Sequence, residues 1–173
     1  MAAGSSSTLT LQWTGTIPTA SVTAGSWKFV SSTSSSVDFV PTNGTITVTN
    51  GSVAGTKNLV LAPVNFSIAA SSGRKFTNSS SIKAYLASAT TFTGLNPASD
   101  ATSSDAPSMT IKVNDKDLSV GSAQSVDVST FANATTELVN ISIKGSGTLP
   151  QKSYTSGDSF TASSTIVFTA DVT

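Results

Sequence analysis

The sequence predicts an all-β protein, an antiparallel sandwich with Greek-key connections. Three observations predict it. Short alternations of apolar and polar residues recur along the 173 residues, with turn signals between them. Ser, Thr, Val and Gly dominate while helix formers are sparse, which disfavours helix and suits strands and turns. No internal repeat is evident, which sets aside solenoids and propellers. The length suits one domain with a real core.

The first alternation is "STLTLQWTGTIPT", residues 7–19. Leu9, Leu11, Trp13 and Ile17 share one parity, with Gly15 between them, and Thr8, Thr10, Gln12, Thr14 and Thr16 share the other. Pro18 stops pairing, and Thr19 to Gly25 read as a hinge. The chain therefore divides into an N-terminal extension, 1–19, and a main domain, 20–173.

"SWKFV" (26–30) and "VDFV" (37–40) follow as strands on either side of a Ser/Thr run. "GTITVT" (44–49) sits between Asn43-Gly44 and Asn50-Gly51, two hairpin signals. "KNLVLAPVNFSIAA" (57–70) is a long strand interrupted at Pro63, which predicts an edge position or a bulge there. "SIKAYLAS" (81–88) precedes a loop-like stretch, 94–107. "SMTIKV" (108–113) and "DLSV" (117–120) flank a tight hairpin at "NDK". "SVDVST" (125–130), a helical turn or two near 130–134, "TELVNISIKG" (136–145) and "STIVFTADVT" (164–173) complete the set. The sum is about eight to ten short strands. On the last of them Ile166, Phe168, Ala170 and Val172 alternate with Val167, Thr169 and Asp171.

Composition narrows the function. The chain has nine Lys and Arg, nine Asp and Glu, and no net charge. The basic residues are scattered singly apart from Arg74-Lys75, so nucleic-acid binding has no electrostatic basis. Charged residues make up 10%, against about a quarter in an ordinary domain, and so little charge opposes close association weakly. There is no Cys and no His, which removes the thiolate nucleophile, the commonest general base and the commonest metal ligand. No serine–lysine setting stands out, no carboxylate pair reads as a glycosidase site, and no glycine-rich stretch reads as a phosphate cradle. An enzyme is not expected, and no cofactor is. Asp115 with Asp117, and Asp100 with Asp105, have the oxygen chemistry for calcium, but neither spacing matches a calcium loop, so they read as solvated turn residues and no metal is assigned. Trp13 and Trp27 lie in phase with apolar neighbours and read as core, with stacking on a sugar as the other use. Asn-x-Ser/Thr occurs at Asn43, Asn50, Asn65, Asn78, Asn133 and Asn140, as chance allows in a chain so rich in Ser and Thr. No apolar run is long enough for a transmembrane helix, and "MAAGSSS" lacks the basic and apolar regions of an intact signal peptide.

Three stretches resemble subunits of chaperone–usher fimbriae, in particular the disulfide-free major pilins of the colonisation-factor and common-pilus types. "TLTLQWTGTIP" resembles their alternating extension with its closing proline. "SMTIKVNDKDLSV" resembles their central hairpin. "TTELVNISIKGSGTLPQKSYTSGDSFTASSTIVFTADVT" resembles their final strand, loop and strand. Trp13 departs from the pattern, being bulkier than the small apolar residues common there. The resemblance implies an immunoglobulin-like sandwich that lacks one strand and is completed by the N-terminal strand of the next subunit. It implies that Leu9, Leu11, Trp13 and Ile17 are the donated anchors, that Gly15 sits where two backbones approach, and that Ile166, Phe168, Ala170 and Val172 line the acceptor groove. It also implies other copies of the chain or related pilins as partners, a periplasmic chaperone, an outer-membrane usher, a possible host receptor, and export to a surface fimbria used for adhesion. The alternative reading is a carbohydrate-binding β-sandwich module, such as a tip lectin or a phage or surface binding domain, whose first strand pairs within its own subunit.

Overall fold

The computed structural model describes residues 7–9, 27–71, 73–96, 106–129, 135–150 and 159–172. Among them the chain is all-β and antiparallel, with one short 3-10 turn at Ser122–Gln124. The strands are β1 (Ser7–Leu9), β2 (Trp27–Ser31), β3 (Ser34–Asp38), β4 (Ile46–Asn50), β5 (Lys57–Ala70), β6 (Ser81–Leu86), β7 (Thr91–Thr93), β8 (Ser108–Val113), β9 (Lys116–Asp117), β10 (Val126–Asp127), β11 (Leu138–Leu149), β12 (Thr161–Ser163) and β13 (Ile166–Asp171).

The larger sheet runs β1-β4-β5-β11-β8-β9, with β2 also on β5 and β3 on β2. The second sheet is β10-β6-β13, and β7 pairs with β12. The chain crosses from the first sheet to the second after β5, returns at β8, crosses to β10, returns at β11 and crosses again to β13. Between the sheets lie Leu59, Leu61, Phe66 and Ile68 of β5, Ile111 and Val113 of β8, Ile141 and Ile143 of β11, Ile82, Ala84 and Leu86 of β6, and Ile166 and Phe168 of β13. Each of the large side chains among them contributes roughly 1.5–3 kcal/mol on burial, before ordering costs. With no disulfide, this core must hold the sheets together.

The long pair β5–β11 is the spine. Its ladder runs from Leu138 opposite Ala69 to Leu149 opposite Lys57, with a register shift between Ile143 and Gly145. The extra residue is on β5, at Ala62-Pro63. Proline has no N–H to give a ladder, and the bulge falls where it stands. On its other side β5 pairs with β4 up to Leu61 and with β2 from Ser67. Pro63 lies between these two partners, so the bulge is as expected but the strand is central rather than an edge.

Glycines on β11 set how closely the sheet packs. Gly145 stands between Leu61 and Ile111, and an added Cβ would lie 3.1 Å from side-chain atoms of both. At Gly147 an added Cβ would collide with the backbone carbonyl of Ser108 on β8.

Several local expectations are corrected. The strand expected at 37–40 lies earlier, at Ser34–Asp38, because Ser34 and Asp38 are the residues in register with β2, and Lys28 holds Asp38 at 2.9 Å. Asn50-Gly51 does not make a two-residue turn. Asn50 pairs with Lys57, and residues 51–56 form a wider loop closed by the Gly51 amide donating to the Thr56 carbonyl at 2.8 Å. The "NDK" hairpin is tight as expected: Val113 faces Lys116, with Asn114 and Asp115 at φ 47° and 65°, the left-handed pair that a two-residue hairpin loop requires. β7 and β12 were not expected at all. Residues 97–105 of the expected loop and the helical turn near 130–134 lie outside the described residues.

Candidate functional site

β13 is the strand on which a function can be built. Its six residues alternate: Ile166 and Phe168 are buried, Val167 and Ala170 are half-buried, and Thr169 and Asp171 are exposed; Val172, just beyond the strand, is half-buried. One edge is fully paired to β6, from Ile166 opposite Leu86 to Asp171 opposite Ser81. Ser81 Oγ donates to Asp171 Oδ2 at 3.2 Å at the far end, and the Ala87 amide donates to the Thr165 carbonyl at 2.9 Å at the near end. Among the described residues no strand pairs with its other edge. That edge carries a row of backbone donors and acceptors, which is a template for another strand.

Under it lies an aromatic cluster. The Phe168 ring stands edge-on to Phe29 of β2 at 5.6 Å and to Phe66 of β5 at 5.9 Å. Phe29 also meets Trp27 edge-on at 5.2 Å, and Phe39 stacks on Phe66 at 4.7 Å. Edge-to-face pairs of this kind add about 0.5–1.5 kcal/mol beyond their buried area. Trp27 is buried, as its phase predicted. Phe168 thus joins the second sheet to both β2 and β5.

Ile166, Phe168, Ala170 and Val172 therefore share one end of the chain and one inward-facing row. Leu9 lies elsewhere. It is on β1, where Ser7, Thr8 and Leu9 pair with Val48, Thr47 and Ile46 of β4 in the same chain. The structure therefore places Leu9 in the first sheet and the four C-terminal residues in or just beyond a strand of the second. Leu11, Trp13, Gly15 and Ile17 lie outside the described residues.

The remaining charges tie strands together. Asp115 and Asp117 each meet a lysine: Lys144 Nζ donates to Asp115 Oδ1 at 2.9 Å, and Lys112 lies 2.8 Å from Asp117 Oδ1. The Lys144 hydrogen bond and charge hold the Asp115 carboxyl below its ordinary range, and the bond to Asp117 raises Lys112 above its own. Both pairs are solvent-exposed, so they fix the hairpin's position more than its stability. Among the described residues no three His, Cys, Asp or Glu side chains come together as a metal site, and no helix is long and apolar enough to cross a membrane.

No protein-family profile matches the chain, and no curated protein matches it either.

Proposed function

We propose that this chain is a structural pilin subunit, an incomplete immunoglobulin-like sandwich that polymerises by donor-strand exchange into a surface fimbria used for adhesion. The observation that carries the reading is the outer edge of β13, six residues long and without a strand partner among the described residues. The alternating stretch 8–17 has the complementary design, since an added strand gains main-chain hydrogen bonds from the edge and places alternate side chains inward. Burying Leu9, Leu11, Trp13 and Ile17 contributes on the order of 6–12 kcal/mol before ordering costs. A contact made by one end of a subunit to the other end of the next does not close on itself and propagates as a filament. Such a polymer resists dissociation through slow unfolding, which suits a fibre under shear. Export through the periplasm with a chaperone and an usher belongs to the same reading.

The pairing of Ser7–Leu9 with β4 favours a second reading: a self-contained sandwich that binds carbohydrate. That ladder is three residues long at a sheet edge. At roughly 0.5–1.5 kcal/mol net per hydrogen bond, so short a ladder yields easily to a longer pairing elsewhere. The two readings separate by deletion of residues 1–18. A pilin so truncated stays β-rich and soluble but loses its ability to form chains. A self-contained sandwich stays monomeric before the deletion, and the deletion unfolds it. Negative-stain images of the intact chain and circular dichroism of the truncated one give both answers.

A further inference from the structure

We infer that the outward face of the β5–β11 pair carries a binding pocket for a neutral sugar. In the ladder, Asn65-Phe66-Ser67 runs antiparallel to Asn140-Ile141-Ser142, with Asn65 opposite Ser142 and Ser67 opposite Asn140. The two apolar residues are buried in the core, so the alternation puts both asparagines and both serines on the opposite face, where Ser67 is itself covered and Asn65, Asn140 and Ser142 keep exposure. Two turns rise on either side, one carrying Ser32 between β2 and β3 and one carrying Asn114 between β8 and β9. Between them is a half-open cavity of about 240 Å³ lined by the polar residues Ser32, Asn65, Asn114, Asn140 and Ser142 together with Phe66 and Ile141.

Asparagine is disfavoured in strands, yet it occupies adjacent central strands here. The wall is rigid. The Asn114 amide donates to the carbonyls of Val128 at 2.9 Å and Asn140 at 3.2 Å, and its Oδ1 accepts the Ser142 amide at 2.8 Å. Both Asn114 amide hydrogens are therefore engaged, and the side chain is a fixed side of the pocket with one acceptor position left on Oδ1. Ser67 is fully buried and donates from Oγ to Asn140 Oδ1 at 2.9 Å, and the Asn140 amide nitrogen makes no hydrogen bond among the described residues and remains a donor. The Asn65 amide and the Ser32 and Ser142 hydroxyls make no side-chain hydrogen bond among the described residues, so both donors and acceptors remain for a ligand.

The chemistry selects the ligand class. No charged side chain lines the cavity, so an ion would be desolvated there without a counter-charge. An apolar ligand would strand the amides and hydroxyls. A polyhydroxylated neutral ring presents the mixed donors and acceptors that these groups match, and the volume limits it to about one pyranose, below the usual range for drug-sized ligands. The proposal does not depend on how the chains assemble, because the face lies on the first sheet and β13 on the second.

The test is saturation-transfer NMR on the intact chain with free glucose, galactose, mannose and N-acetylglucosamine, a readout that works on monomers and filaments alike. At least one of the four shows saturable transfer with a Kd of about 1–10 mM. Asn65→Ala, at an exposed side chain that supports nothing else among the described residues, weakens it at least about tenfold, while Asn58→Ala, further along the same strand, leaves it unchanged. Absence of saturable transfer with all four sugars, or transfer that survives Asn65→Ala, overturns the proposal.

Discussion

Phe168 of the last strand and Phe66 of the longest strand meet edge to face, ring centroids 5.9 Å apart and planes at 84°. This contact joins the two sheets at the strand whose outer edge is unpaired among the described residues. An edge strand can serve as a template only if it is held firmly from within, and Phe168 supplies that support.

Phe168→Ala is therefore expected to cost about 3–5 kcal/mol, the range for removing a buried phenylalanine. Urea denaturation of the variant measures it. Phe168→Leu, which keeps most of the volume, loses less.

Asn114 is expected to matter for its amide as well as its backbone. Asn114→Gly keeps the left-handed conformation but removes the three side-chain hydrogen bonds to Val128, Asn140 and Ser142. The loss is about 1–3 kcal/mol, because half-buried backbone groups are left unpaired. Asn114→Ala, which adds the cost of a positive φ, loses more. Thermal unfolding of the two variants side by side orders them.

The glycines of β11 give a ranking by close approach. Gly147→Ala drives a methyl group into the β8 backbone at Ser108, whereas Gly145→Ala meets side-chain atoms of Leu61 and Ile111 that can shift by a few tenths of an ångström. Gly147→Ala is expected to be the more damaging, by about 1 kcal/mol or more. Amide exchange along β8 shows whether that strand separates from β11.

Asp115 predicts a pH effect of known sign. Its carboxyl is held below the ordinary range by Lys144. A depressed folded-state value stabilises above the unfolded value, about 3.9, and the benefit is lost as pH falls through the folded value. Lys144→Met returns the Asp115 titration toward the ordinary range, as carboxyl-carbon NMR detects, and leaves neutral-pH stability nearly unchanged because the pair is solvent-exposed.

Much of this architecture was legible where alternation was long. β8 is legible at its true bounds because "SMTIKV" alternates, and the turn after it at Asn114 and Asp115, which tolerate positive φ; Lys116 belongs to β9 rather than to the turn, and that strand is Lys116–Asp117 rather than 117–120. β13 was legible for the same reason. β3 was not, since Ser34, Ser35 and Ser36 carry no apolar period and the strand exists only through its pairing with β2. β7 and β12 are three residues each, too short for any period to show. Pro63 signalled an irregularity, but only the tertiary arrangement, with β4 and β2 dividing one side of β5, explains how a proline sits in a central strand. The sugar pocket was missed for a different reason. Asn65-Phe-Ser and Asn140-Ile-Ser looked like chance in a Ser-rich chain. Their meaning comes from the register that sets one against the other, and a single sequence does not print its register.

The most direct measurement uses the absence of cysteine. Single-cysteine variants are made on the polar parity of the first stretch, Thr10→Cys, Gln12→Cys, Thr14→Cys and Thr16→Cys, and each is mixed with Thr169→Cys on β13 and oxidised. Strand donation between copies predicts that at least one mixture yields a disulfide-linked pair of chains joining the first stretch to Thr169. If no mixture does, and a Thr8→Cys, Thr47→Cys double variant instead closes within single chains at every concentration, the opening strand belongs to its own sandwich and the polymer account fails.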